Sequence, residues 1–450
     1  MDWSKMNGEK KWADLSWQEK RQERFKRWLT VPDIKFISPE AGKLYKERST
    51  RFAKAFQLEK PDRVPCILPV SNFAAYYGGS DLRTVMYDYD ELKRTWRKFL
   101  YEFGDADMFF GPGMVPSGIM LETLDYKLYK WPGHGISGET TSYQCVEGEY
   151  MKANEYDELI RDPSNFWLRI YLPRVFGAFE PLRNIPAFTT IEEIAIMSFV
   201  TYGRPDVQAA FEALLEAGKE SVKWISAVME VSQEATRMGF PAIMGGLSKA
   251  PFDTLGDTLR GTQGVMMDMF QRPEKLHEAT EKIASLTIAS TLTSIGDSGV
   301  PLIIMPLHKG ADGFMSNKQY ETFYWPTFKK VIMAFVNEGI LPVLFAEGSY
   351  NSRLEIVSEL PKGAVAWWFD QTDMARAKKV LGDKACIIGN VPTSLLMTGT
   401  PREVKEHCRN LIEICAPGGG YILSGGANID KGDPDNLRAM MEAVKEYSRY

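Results

Sequence analysis

Eight short apolar runs, each followed by a helical stretch, limit what this 450-residue chain can fold into. They are residues 64–70 (VPCILPV), 106–110 (ADMFF), 242–244 (AIM), 302–307 (LIIMPL), 341–345 (LPVLF), 365–369 (VAWWF), 385–388 (ACII) and 421–423 (YIL). The runs are not amphipathic, as expected of strands buried on both faces. Repeated strand–helix units of this kind predict a closed (β/α)8 TIM barrel, an α/β fold. An open doubly wound sheet would want a glycine-rich phosphate turn after an early strand. The nearest candidate, Gly111, Pro112 and Gly113, carries a proline that removes an amide donor.

Two departures from the rhythm set the domain organisation. Residues 1–60 read as an N-terminal helical extension. Its first helix opens on a Ser16/Glu19 capping box, and its second runs from Pro39 to Gln57. The extension is suited to an interface or a lid. Residues 61–450 form the barrel, interrupted after strand two by an inserted excursion, 114–205. Period-2 pieces at 126–131 and 140–146 predict an antiparallel hairpin inside it. A helix from Pro205 to Met238, with room for one break, leads back to the barrel.

The net charge of −5 argues against nucleic acid, which needs clustered excess Lys and Arg. No apolar run reaches membrane-spanning length, and residues 1–25 lack a signal-type core, so the expected location is cytoplasmic. The five cysteines form no CxxC or HxC pair and suggest no disulfide framework. Cys66 and Cys386 lie within apolar strands and read as inert core. Eleven Trp, 19 Tyr and 21 Met fit a large core, or else a wide apolar cavity.

In a barrel, functional side chains gather where strands end. Asn72 and Tyr76 follow strand one, Met114 and Glu122 strand two, Lys249 and Asp253 strand three. His308, Lys309 and Asp312 follow strand four, Glu347 and Tyr350 strand five. Asp370, Gln371 and Asp373 follow strand six, Asn390 strand seven, and Asn428 with Asp430 strand eight. His308, Glu347 and Asp370 are the catalytic candidates, since a histidine and two carboxylates on neighbouring strands can protonate, deprotonate or orient a substrate. The same group read structurally is a buried His stabilised by a carboxylate. N and O donors also suit a metal, but the usual spacing signals are missing and no metal ligand is assigned. Asn72, Tyr76, Glu122, Lys249, Lys309, Asp312, Tyr350, Asn390 and Asn428 are the candidate substrate contacts. The two lysines suit a carboxylate or phosphate, or are solvated loop residues. Asp253 and Arg260 are expected to pair and fix the loop after strand three. His277 and His407 lie in charged helices and read as surface residues. One of Trp367 and Trp368 should face the barrel interior and the other the helices.

Several segments resemble the uroporphyrinogen decarboxylase superfamily. They are PFDTLGDTLRG (251–261), HKGADGFMS (308–316), GNVPTSLLMTGTPREV (389–404), and the run GGGYILSGGANID ending in DPDNLRAMMEAV (418–444). The resemblance covers about residue 60 onward. It implies a (β/α)8 fold and membership among decarboxylases and corrinoid-dependent methyltransferases. Two departures select a branch. The decarboxylase places a substrate-binding arginine near the first strand, where this chain reads VPCILPVSNFAAYYGG (64–79). Thiol-activating methyltransferases bind zinc through an HxC pair and a later Cys. Here the pair reads His308, Lys309, Gly310, and the later position falls in Gly425, Gly426, Ala427. The resemblance thus implies a demethylating corrinoid-dependent methyltransferase. It would move a methyl group from a small methylated substrate to a corrinoid protein, with His308 or Glu347 as proton donor and Asp370 orienting it. The corrinoid sits on that partner. Zinc stays open as a cofactor without the family's cysteine ligands, and a homodimer stays open as an assembly. The alternative is a decarboxylase or lyase acting on a carboxylic acid or tetrapyrrole.

Overall fold

The structure is a computed structural model that describes residues 11–140, 142–187, 195–296 and 299–448. Eight strands make one parallel sheet: β1 (Cys66–Leu68), β2 (Met108–Phe109), β3 (Gly246–Leu247), β4 (Leu302–Leu307), β5 (Leu341–Ala346), β6 (Ala366–Phe369), β7 (Cys386–Ile388) and β8 (Tyr421–Ser424). Each of β4 to β8 pairs with its predecessor, β2 pairs with β1, and β8 pairs back onto β1. First strand against last is the order of a curled (β/α)8 barrel, not of a doubly wound sheet. The ladder is open only between β2 and β3, where Phe109 packs on Phe240 with ring centroids 5.0 Å apart.

Strand lengths follow local chemistry. β1 is clipped to three residues because Pro65 and Pro69, which lack amide donors, flank it. β3 forms at 246–247 rather than at the apolar 242–244. Gly245 donates to the Leu302 carbonyl at 3.0 Å, and a Cβ there would meet the Val300 carbonyl at 2.4 Å, so only glycine lets the chain approach β4 this closely.

Strand alternation sorts the side chains into two cores. Ile67, Ile304, Phe345, Trp368, Ile388 and Ile422 fill the barrel interior, while Cys66, Met305, Leu344, Trp367, Ile387 and Leu423 face the helices. Trp368 is therefore the inward tryptophan of the pair. It sits between Phe345 and Phe110, at centroid distances of 4.9 and 5.4 Å. Cys66 and Cys386 are buried, as expected of inert core residues.

The N-terminal helices, Trp17–Thr30 and Pro39–Phe56, send Phe25, Trp28, Phe52 and Phe56 into the interior core. The Ser16/Glu19 capping box is present. Their arginines reach backbone carbonyls that precede strands. Arg21 donates to Ile340 and Ala364 at 2.6 and 3.0 Å, Arg24 to Glu338 at 2.8 Å, and Arg48 to Gly239 at 2.9 Å. These carbonyls lie at the N-terminal ends of the strands. The extension therefore plugs the end of the barrel opposite His308, which corrects the reading of it as a lid.

The inserted hairpin pairs Tyr129 with Cys145 antiparallel, as the period-2 pattern predicts. The return helix, Pro205–Arg237, is 33 residues long and unbroken. Among the described residues, no helix is long and apolar enough to cross a membrane.

Candidate active site

Ladder register places the first residues beyond four strands in one ring. Leu307 lies opposite Ala346, Ala346 opposite Phe369, and Trp368 opposite Ile388. Continuing each ladder by one or two steps sets His308, Glu347, Asp370 and Asn390 side by side. His308, Glu347 and Asp370 each lie two residues beyond an interior position, so the period-2 alternation turns them toward the barrel axis. The aromatic group of Phe110, Phe345 and Trp368 lies beneath them.

His308 is held from two sides. Its Nδ1 lies 2.5 Å from Asp257 Oδ2, and its Nε2 lies 3.6 Å from Glu347 Oε2. Its backbone amide donates to Asp253 Oδ2 at 3.1 Å. Burial alone would push the imidazolium pKa down. The hydrogen bonds to Asp257 and Glu347 and the nearby carboxylate charges outweigh it and raise the pKa to about 10. His308 is thus a cation at neutral pH, with Nδ1 committed to Asp257 and Nε2 facing Glu347. The side chains of His308 and Glu347 keep 34% and 44% of their surface exposed.

Asp257 is the hub. Its carboxylate also accepts Lys249 Nζ at 2.6 Å and Lys309 Nζ at 3.2 Å. Burial favours its neutral form, but His308 and Lys249 hold its pKa far below the usual carboxylate range. Asp253, one helical turn earlier, is fully buried. It takes the Lys309 amide at 2.8 Å and the Tyr324 hydroxyl at 2.8 Å. Burial, then the charge of Asp257, pushes its pKa up. Both aspartates come from 251–259, where the Pro251–Thr254 helix runs into a π-helical turn at Leu255–Leu259.

The expected pairing of Asp253 with Arg260 is not made. Arg260 instead binds Asp268 at 2.6 Å, Glu149 at 2.5 Å and the Met151 carbonyl at 2.8 Å. This straps the insertion onto the helix that follows the π-turn. Glu147, on the same strap, reaches within 4.0 Å of Lys309 Nζ.

Most of the other expected contacts make bonds within the chain. Asp370 accepts the Gly348 amide at 3.0 Å, so Asp257 rather than Asp370 orients His308. Asn390 donates to the carbonyls of Asp370 and Thr372, at 2.8 and 2.9 Å. Asp312 accepts the hydroxyls of Ser349 and Ser352, at 2.8 and 2.7 Å. Tyr350 is buried, and its amide donates to Thr372. Glu122 accepts from Tyr87 at 2.5 Å, and Tyr76 donates to the Thr140 carbonyl at 3.4 Å. Asn72 is buried, and Asn428 is exposed. His407 is half-buried rather than superficial, while His277 is exposed and stacks on Phe323. Asp257 escaped the sequence reading. Its spacing of four from Asp253, which puts both carboxylates on one helical face, was the available signal.

The donor set does not fit zinc. Among the described residues, no three His, Cys, Asp or Glu side chains are arranged to hold a metal ion. A Cβ at Gly310, the family's cysteine position, would lie 2.7 Å from Tyr350 Oη and 3.0 Å from the Tyr324 ring. A Cβ at Gly426 would lie 3.1 Å from the Asp370 carbonyl. Side chains at these two positions would press on Tyr324, Tyr350 and the Asp370 backbone.

A family model described as Uroporphyrinogen decarboxylase (URO-D) matches residues 203–447, which carry β3 to β8. Uroporphyrinogen decarboxylase of Coxiella burnetii (strain RSA 493 / Nine Mile phase I) is 22% identical over 182 residues, 40% of this chain and 50% of that protein. The matched region thus spans half the length of that relative. Uroporphyrinogen decarboxylase of Dichelobacter nodosus (strain VCS1703A) is 26% identical over 250 residues, 53% of this chain and 69% of that protein. A solved methyltransferase from Methanosarcina mazei superposes with a TM-score of 0.55 at 13% identity, over 89% of this chain and 98% of its own.

Proposed function

The chain belongs to the uroporphyrinogen decarboxylase (URO-D) family, whose members are enzymes, and from that premise we propose that it is a demethylating methyltransferase. It takes a methyl group from a small methylated substrate and passes it to a corrinoid carried by a partner protein. The observation that carries this reading is the His308 cation, held at Nδ1 by Asp257 and facing Glu347 across 3.6 Å at Nε2.

The reduced corrinoid, when the partner presents it, supplies the nucleophile that accepts the methyl group. Leaving-group activation is then this chain's task. As the bond between methyl carbon and heteroatom breaks, its electron pair stays on the heteroatom. His308 Nε2 gives its proton to that atom, and Asp257 keeps the ring oriented. Glu347, 3.6 Å away, faces the same space and returns a proton to Nε2 from solvent. A histidine whose carboxylate partners hold it charged well above its ordinary range is available as an acid at neutral pH.

The second reading, a decarboxylase or lyase on a carboxylic acid, gains from the presence of Lys249 and Lys309. Both ammonium groups, however, already lie on Asp257, and a substrate carboxylate would have to compete for them. The test mixes the purified protein with a reduced corrinoid protein and a panel of methyl ethers and follows the cobalt spectrum. Methylation of the cobalt supports methyl transfer. Carbon dioxide release from a carboxylic-acid panel, with no spectral change, replaces it with the second reading.

A further inference from the structure

The inserted hairpin has two faces of different character. Its strands, Tyr129–Pro132 and Gln144–Cys145, pair Tyr129 with Cys145 and Lys130 with Gln144. Paired residues point to the same side of a sheet, and successive ones to opposite sides. Lys130 and Gln144, both exposed, therefore share one face, while Tyr129, Tyr143 and Cys145 share the other. The Tyr129 and Tyr143 rings lie 5.0 Å apart on that second face.

The second face turns toward the barrel mouth. On one side of it, Tyr76, which follows β1, donates to the Thr140 carbonyl at 3.4 Å. On the other, Glu147 accepts the Thr262 amide and lies 4.0 Å from Lys309 Nζ, just beyond β4. The stretch 142–147 between these anchors passes over the mouth. The charges felt on its inner face are those of the site. Partial burial, then the Asp257 carboxylate, pushes the Cys145 thiol pKa up, with Lys249 and Lys309 opposing it. Burial, then Cys145 and Asp257, raises that of Tyr129. Cys145 is nevertheless exposed, and His308 and Glu347 keep 34% and 44% of their side-chain surface. Exposed groups on two facing surfaces border open space, and here that space lies between the hairpin and the ring of strand ends. The hairpin precedes residue 203 and lies outside the family match. Its side chains can set which substrate fits without altering the groups that move the proton.

We propose that Tyr129, Tyr143 and Cys145 form the outer wall of the substrate site and determine its specificity, by contacting the part of the substrate that faces away from His308. This rests on the proposed site at His308, and on no detail of the reaction assigned to it.

Two measurements on the full-length chain test the wall. Cys145 is exposed while Cys66, Cys386, Cys408 and Cys415 are buried, so a nitroxide maleimide on the native protein marks this face. The label should broaden the imidazole resonance of His308, one of four histidines, and reduction of the nitroxide should restore it. A His308 resonance that the label leaves sharp overturns the placement, whatever the reaction. In corrinoid methylation from methyl ethers of increasing size, Cys145→Trp should raise KM at least about tenfold for the largest and leave kcat within about twofold. Gln144→Trp, on the outer face, should change neither. If Cys145→Trp does not fold, the N-ethylmaleimide adduct of the folded wild type takes its place. A KM ranking that Cys145→Trp, or that adduct, leaves as in the wild type overturns the proposal. A wild type that releases carbon dioxide and methylates no corrinoid counts against methyl transfer alone, and the KM comparison then runs on carboxylic acids of increasing size. The nitroxide measurement decides the placement without any turnover.

Discussion

Asp257 gathers His308, Lys249 and Lys309 onto one carboxylate, so its removal reaches the proposed acid without touching it. Asp257→Asn should lower the His308 pKa from about 10 toward its ordinary 6.5. The alkaline limb of the pH–rate profile should then move down by about one unit or more, with the rate at low pH retained. A profile that keeps its limb would show that Asp257 does not set the state of His308. The stability linkage has a definite sign. The folded-state pKa is raised, so the stabilising contribution is fully present below about pH 6.5 and is lost as pH rises through about 10. At this scale the sequence was partly legible. His308, Glu347 and Asp370 could be found because strand ends announce themselves. Their partners could not, because hydrogen bonds such as that of Asp370 to the Gly348 amide depend on loop paths that no local pattern encodes.

Elements were more legible than contacts. Strand runs buried on both faces, capping residues and proline breaks are local signals, and they located β4 to β8 within a residue or two. β3 slipped because its approach to β4 runs through Gly245 and Gly246, which are silent in hydrophobicity, and only Leu247 of its two residues is apolar. The N-terminal helices read correctly as helices, but their place did not. What fixes it is the reach of Arg21, Arg24 and Arg48 to carbonyls more than a hundred positions away in most cases. Arg21→Met should leave the Ile340 and Ala364 carbonyls without their donor and cost about 2 to 4 kcal/mol. Denaturant unfolding measures this, while the folded fraction should keep full activity because the site lies at the opposite end of the barrel. Loss of activity in proportion beyond the unfolded fraction would count against that separation.

For the whole molecule, the strand count and the return of β8 to β1 fix a (β/α)8 architecture. The insertion is bound to it through Arg260. Arg260→Met removes a buried cation from fully buried Asp268 and should cost roughly 3 kcal/mol. It should also raise KM more than it lowers kcat, because Glu147 and its strap lose their anchor near Lys309. Equal effects on KM and kcat would place the strap outside substrate binding.

The central claim is that His308 protonates the leaving heteroatom. The most direct test is single-turnover methyl transfer to a reduced corrinoid protein, from methyl ethers whose leaving oxygens span a wide range of acidity. His308→Gln should slow the most basic leaving groups by about 10² to 10⁴-fold and the most acidic ones hardly at all. A defect of the same size across the whole series would contradict the account.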